Sequence, residues 1–84
     1  MKKIVVRYFA SIREAIGQGS EAVETSASTL GALRDELIAR GGAHASSLAR
    51  GKAVRMALNQ TLSDESATLA DGAEVAFFPP VTGG

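Results

Sequence analysis

Few residues in this sequence have the type and spacing to carry out chemistry. No cysteine is present, which removes disulfides, thiolate metal sites, side-chain persulfides and thiol nucleophiles together. The one histidine, His44, lies in a small polar stretch with no carboxylate close by in sequence, and is expected to be an exposed loop residue. Asp64-Glu65 reads as a solvated surface pair rather than an acid–base couple. Gly41-Gly42 lacks the Lys-Ser/Thr that completes a phosphate loop, so it reads as a helix stop and the chain is expected to hold no nucleotide. What remains is a main-chain carboxylate, at the end of Phe78-Pro79-Pro80-Val81-Thr82-Gly83-Gly84.

Glycine suits that position for a physical reason. Without a side chain at 84, the carbonyl carbon is open to an attacking nucleophile, and glycine at 83 gives the thinnest chain for threading a narrow channel. The chemistry this suits is acyl activation. The Gly84 carboxylate would attack the α-phosphate of ATP on a partner enzyme, and a sulfur or nitrogen nucleophile would then displace AMP. Pro79-Pro80 favours an extended polyproline conformation, so the tail is expected to project from the body. Its six residues would reach roughly 20 Å, enough to enter a partner's active site.

Elements are then needed to aim that tail. Lys3 to Phe9 is rich in β-branched and aromatic residues and reads as a strand. A short helix over Ser11 to Ile16 follows, with Ser11 as cap, Ile12, Ala15 and Ile16 on one face, and Gly17 as stop. Glu21 to Thr25 is a second strand. Leu30, Leu33, Leu37 and Ile38 form one apolar stripe of the main helix, capped by Ser28 or Thr29 and stopped by Gly41-Gly42, with Arg34, Asp35, Glu36 and Arg40 on its other faces. Ala43 to Gly51 reads as a loop. Lys52 to Leu58 is a strand with Val54, Met56 and Leu58 in one register; Asn59-Gln60 turns the chain into a brief extended piece at Thr61-Leu62. Asp71-Gly72 marks the turn before the last strand, Glu74 to Phe78, which Pro79-Pro80 ends.

One amphipathic helix over a mixed sheet of four to five strands is an α+β plan, and at this length the β-grasp (ubiquitin-like) roll is the expected form. Residues 1–78 make one such domain, and residues 79–84 a flexible, extended Gly-Gly tail. Nine basic and nine acidic residues cancel, which argues against a nucleic-acid or anionic-membrane binder acting through bulk charge. No apolar run approaches the roughly 20 residues needed to span a bilayer, so a cytoplasmic protein is expected.

Three blocks resemble one family. Asp71 to Gly84, in particular Phe77-Phe78-Pro79-Pro80-Val81-Thr82-Gly83-Gly84, closely resembles the ending of the molybdopterin synthase small subunits, the ubiquitin-like sulfur carriers of molybdenum cofactor biosynthesis. Tyr8-Phe9-Ala10-Ser11-Ile12-Arg13-Glu14 matches their start, and Ala57-Leu58-Asn59-Gln60 their Val-Asn-Gln block. Ala73 departs from the pattern, which commonly has Asp there, at a position read as part of a turn.

The resemblance implies a non-catalytic, sulfur-donating subunit. Gly84 would be adenylated by a ubiquitin-activating-like adenylyltransferase using ATP, and a sulfur donor protein would supply the sulfur of a thiocarboxylate. The large subunit would provide the catalytic side chains that pass it to cyclic pyranopterin monophosphate, in a heterotetramer of two large and two small subunits. No metal and no cofactor bound by this chain are implied. Thiamin thiazole or cysteine synthesis are alternative sulfur sinks, and a ubiquitin-like protein modifier is an alternative of another class. Partner-binding residues are expected at Phe78, Pro79, Pro80, Val81 and Thr82. Phe78 joins them because alternation sets Val75 and Phe77 on the core face and Phe78 on the other. Arg13 is a further candidate as a partner for an acidic surface; Lys52 and Arg55 are either a basic strand face or partner contacts.

Overall fold

The structure, a computed structural model, describes residues 1–80; Val81, Thr82, Gly83 and Gly84 of the expected tail lie outside the described residues. Its first strand, β1 (Lys2–Tyr8), alternates strictly, with Ile4, Val6 and Tyr8 buried and Val5 and Arg7 outside. Helix α1 (Ala10–Ile16) connects it to β2 (Ser20–Thr25), which pairs antiparallel with β1. Gly17 ends α1 in the left-handed conformation at φ 87°, as its type predicts. The start differs from expectation: Phe9, not Ser11, is the N-cap, and no side chain caps the helix. Ala15 is exposed rather than packed with Ile12 and Ile16.

The main helix, α2 (Leu30–Ala39), is capped by Thr29, whose Oγ1 accepts the Ala32 N–H at 3.1 Å. It buries Leu30, Leu33 and Leu37. The sequence reading fails just beyond it. Residues 43–51 were expected to be a loop, yet a further helix, α3 (Gly42–Leu48), forms there. Its residues are mostly small, and Leu48, completely buried, is its one large apolar anchor. Short helices of this kind draw their stability from packing rather than from periodicity.

β3 (Arg55–Leu58) starts three residues later than expected and turns through Asn59-Gln60 into β4 (Thr61–Ser63). Both turn residues have positive φ, 50° and 70°, the signature of the tight hairpin turn whose twist suits antiparallel strands. The Asn59 Oδ1 also accepts the Glu74 N–H at 2.9 Å. β5 (Glu74–Phe78) then runs through the middle of the sheet, parallel to β1 and antiparallel to β3, giving the order β2-β1-β5-β3-β4. Ala73 lies just after the Asp71-Gly72 turn and is buried at 4% exposure, so the alanine here fills a core position.

The five-stranded mixed sheet thus carries the helices on one face, around a core of Val6, Tyr8, Leu33, Leu48, Val75 and Phe77, each at 1% exposure or less. Burial of each large apolar side chain contributes about 1.5–3 kcal/mol. The α+β, β-grasp expectation holds.

Two of the expected surface charges are structural. Arg34, assigned to a polar face of α2, is 4% exposed. Its Nε donates to the Leu48 carbonyl at 2.7 Å and its Nη2 to those of Ala49 at 2.8 Å and Lys52 at 3.2 Å. The guanidinium therefore satisfies carbonyls left over where α3 ends. Its Nη1 pairs with Glu65 at 3.1 Å, and Arg50 pairs with Glu65 and Asp35, so Glu65 is not simply solvated. Gly31 allows this approach: its N–H donates to the Glu65 carbonyl at 3.0 Å, and a Cβ there would lie 2.9 Å from Glu65 Oε1.

Candidate functional site

β1 and β5 run parallel, so both end at the same edge of the domain, and the chain leaves β5 there through Pro79 and Pro80. Val75 and Phe77 are fully buried under the helices, while Phe78 is half-buried and faces the other way, as alternation predicts. Among the described residues no helix covers that outer face. Val5 is 45% exposed, Phe9 40% and Leu62 62%, a strongly apolar set for a surface.

At the tail's base this face forms an open groove of about 600 Å³. Phe9, Ala10, Ala57, Ala76 and Phe78 line it, and Pro79 and Pro80 form part of its wall. Arg7 borders it, with its guanidinium 5.4 Å from the Phe9 ring centroid and 3.7 Å from the Glu74 carboxylate. The backbone here is fixed. The Phe9 N–H donates to the Phe77 carbonyl at 3.2 Å, and Phe78 lies opposite Arg55 in the β5–β3 register. An aromatic-lined recess on a rigid sheet beside an outgoing tail can dock a partner.

The structure therefore brings Phe78, Pro79 and Pro80 together. Arg13, on α1, does not line this groove; its side chain lies beside Gly19, where a Cβ would come within 3.3 Å of its Nε. Val81, Thr82, Gly83 and Gly84 lie outside the described residues. Sequence reasoning missed Phe9 as a groove residue; the alternation of β1 carried the signal, since Phe9 follows Val5 and Arg7 on the outer face.

His44 is a correction. It is not an exposed loop residue but lies on α3 with its side chain 15% exposed, edge-on to Tyr8. His44 Nε2 and the Tyr8 hydroxyl share the Glu21 Oε2, at 2.9 and 2.6 Å, while Arg40 donates to Oε1 at 2.9 Å. Burial alone would raise the Glu21 carboxyl, but these hydrogen bonds and the Arg40 charge outweigh it and hold the group at about 2. The Tyr8 hydroxyl is pushed far upward by burial and by its bond to Glu21. Every partner in this cluster is satisfied within the fold, so it ties α3 and α2 to β1 and β2. Among the described residues no group of three His, Cys, Asp or Glu side chains is placed to hold a metal ion. Nor is any helix there long and apolar enough to cross a membrane.

A bare edge carrying a proline-led tail, on a β-grasp body, narrows the family sharply, and the model of the ThiS family matches residues 6–84. The chain belongs to the ThiS family. The molybdopterin synthase sulfur carrier subunit of Escherichia coli is 44% identical over 81 residues, spanning 96% of this chain and 99% of that one. Among solved structures, the complex of subunits 1 and 2 of the molybdopterin-converting factor of Helicobacter pylori contains a similar chain. It is 27% identical, has a TM-score of 0.65, and covers 98% of this chain and 99% of its own. SAMP1 of Haloferax volcanii is similar at 25% identity and a TM-score of 0.77, over 98% of this chain and 99% of that one. Each of these likenesses covers 96% or more of this chain.

Proposed function

We propose that this ThiS-family chain is the sulfur-carrier subunit of a molybdopterin synthase, with the Gly84 carboxylate as its working group. The observation that carries the reading is the uncovered groove of Phe9, Ala10 and Phe78 at the point where Pro79-Pro80 leaves the sheet. A rigid apolar dock at the base of a thin Gly-Gly segment suits a protein whose body binds outside while its end is worked on within a partner.

In this reading, a partner adenylyltransferase binds ATP, and the Gly84 carboxylate attacks the α-phosphate to give an acyl-adenylate and pyrophosphate. Sulfide released by a donor protein displaces AMP, leaving a thiocarboxylate. Once the tail is in the large subunit, the thiocarboxylate sulfur bonds to a carbon of the pyranopterin precursor as a carbon–oxygen bond there breaks; water then cleaves the Gly84 carbonyl–sulfur bond, the carboxylate returns, and a second charged carrier supplies the other sulfur of the dithiolene. This chain contributes binding and delivery, and the catalytic side chains belong to the large subunit. The similarity to the E. coli sulfur carrier and to subunit 1 of the H. pylori complex supports this acceptor. Such work belongs to the cytoplasm, where ATP is available.

A second reading, ligation of Gly84 to lysines of other proteins, is favoured by the likeness to SAMP1, a small archaeal modifier protein. Mass spectrometry of the protein from its native cells separates the two. Sulfur in place of one terminal oxygen supports the carrier, and branched Gly-Gly peptides on other proteins would sink it in favour of the modifier.

A further inference from the structure

Backbone strain gathers around the apolar groove. Among the described residues three that are not glycine have a positive φ: Ala10 at 52°, Asn59 at 50° and Gln60 at 70°. Two of the three, Ala10 and Gln60, line this one groove. Left-handed backbone is unfavourable for any residue with a Cβ, and where it persists it tends to mark a functional site.

Gln60 is the less expected of the two. It stands at the second central position of the β3–β4 hairpin turn, where glycine is strongly preferred after asparagine. The turn itself is held firmly. Asn59 is tied twice to the first residue of β5: its N–H donates to the Glu74 carbonyl at 2.8 Å, and its Oδ1 accepts the Glu74 N–H at 2.9 Å. A fixed backbone thus presents the Gln60 side chain, which is exposed and makes no hydrogen bond among the described residues. The other polar side chains bordering the groove, Arg7 and Glu74, already face each other at 3.7 Å. β5 runs from Glu74 to Phe78, so Gln60 lies at the end of the groove away from Pro79 and Pro80.

We infer that Gln60 is a specificity-determining contact of the carrier, whose carboxamide hydrogen-bonds a peptide group of the molybdopterin synthase large subunit. A carboxamide carries a donor and an acceptor side by side, the complement of a main-chain N–H and C=O. Apolar surfaces pack without a preferred direction, and a few placed polar groups fix orientation. With Phe78 at the near end and Gln60 at the far end, the body is held along one line, and the tail leaves in one direction. Glycine at 60 would relax the turn but make no such contact, which accounts for a strained glutamine in its place. The inference rests on the sulfur-carrier reading above and adds to its apolar dock the residue that sets the register.

The test uses the full-length chain and the purified molybdopterin synthase large subunit of the same organism. Affinity is measured by titration calorimetry for wild type, Gln60→Gly and Gln60→Glu, and Tm is recorded for each free chain. Gln60→Gly removes the strain and the carboxamide together, so Tm should rise while binding weakens by about 5- to 30-fold. Gln60→Glu keeps the length and the backbone but exchanges the amide donor for an acceptor, and should bind at least as weakly. A residue that only shapes the turn could not move stability and affinity in opposite directions. Wild-type affinity in either variant overturns the Gln60 contact alone. So does weaker binding by Gln60→Gly accompanied by a lower Tm, because the turn and not the side chain would then be responsible. Failure of wild type to bind the large subunit overturns the sulfur-carrier reading itself, and the contact with it.

Discussion

Replacing Arg34 by methionine tests how the tail's surroundings are held. Methionine keeps the aliphatic stem and its packing while removing the guanidinium. The Ala49 carbonyl retains its bond from the Lys52 N–H, but the Leu48 and Lys52 carbonyls lose the donors now 2.7 and 3.2 Å away. Leaving a buried acceptor without its donor costs about 1–3 kcal/mol; the Leu48 carbonyl is such an acceptor, whereas that of the exposed Lys52 can turn to water, so the loss is about 2 kcal/mol. Arg50 remains to pair with Glu65, so no charge is stranded on that side. For a domain of this size the loss corresponds to a Tm lower by about 8–16 °C. Urea denaturation at constant m-value gives the free energy, and scanning calorimetry the Tm. Arg34→Lys should recover only part of the loss, because an ammonium cannot serve three carbonyls in a fixed plane. A shift in Arg34→Met below about 4 °C, or full recovery by lysine, would refute the assignment of α3's end to this side chain.

Acid stability should report Glu21. Its carboxyl is held at about 2 against an ordinary 4.5, a depressed value, so its contribution is fully present above about 4.5 and is lost as pH falls towards 2. Glu21→Gln should lose about 3 kcal/mol at neutral pH and show a flatter urea midpoint across that window; an unchanged slope would contradict the network. Phe78→Ala and Phe9→Ala should each weaken large-subunit binding about tenfold or more, with stability changed by less than about 1 kcal/mol, as calorimetry and melting would show. Gln60→Gly should raise stability by about 0.5 kcal/mol in urea melts, since φ 70° costs a side-chain residue more than glycine.

How much of this was legible depended on whether a signal was local. β1, α2 and β5 carry periodic apolar residues, and each appeared within a residue or two of its predicted bounds. The launch point of the tail was equally clear, because alternation through Val75, Phe77 and Phe78 needs no knowledge of the rest of the chain. α3 was not, because Ala43, His44, Ser46 and Ser47 show no apolar stripe, and the helix is made by contacts with α1 and α2. Arg34 and His44 were misread for one reason: both find partners 14 or more residues away, in Leu48, Glu65 and Glu21. A charged residue in sequence looks solvated until the fold supplies carbonyls and carboxylates around it. Phe9 belonged to the same outer face as Phe78, but only the parallel pairing of β1 with β5 sets the two side by side.

The central claim is that Gly84 delivers sulfur, and reconstitution tests it most directly. The full-length chain, thiocarboxylated at Gly84, is mixed with a competent molybdopterin synthase large subunit and cyclic pyranopterin monophosphate, and dithiolene product is followed against carrier consumed. The account predicts product formation with return of the Gly84 carboxylate, abolished by adding one residue after Gly84. No conversion by a large subunit that works with its own carrier would contradict it.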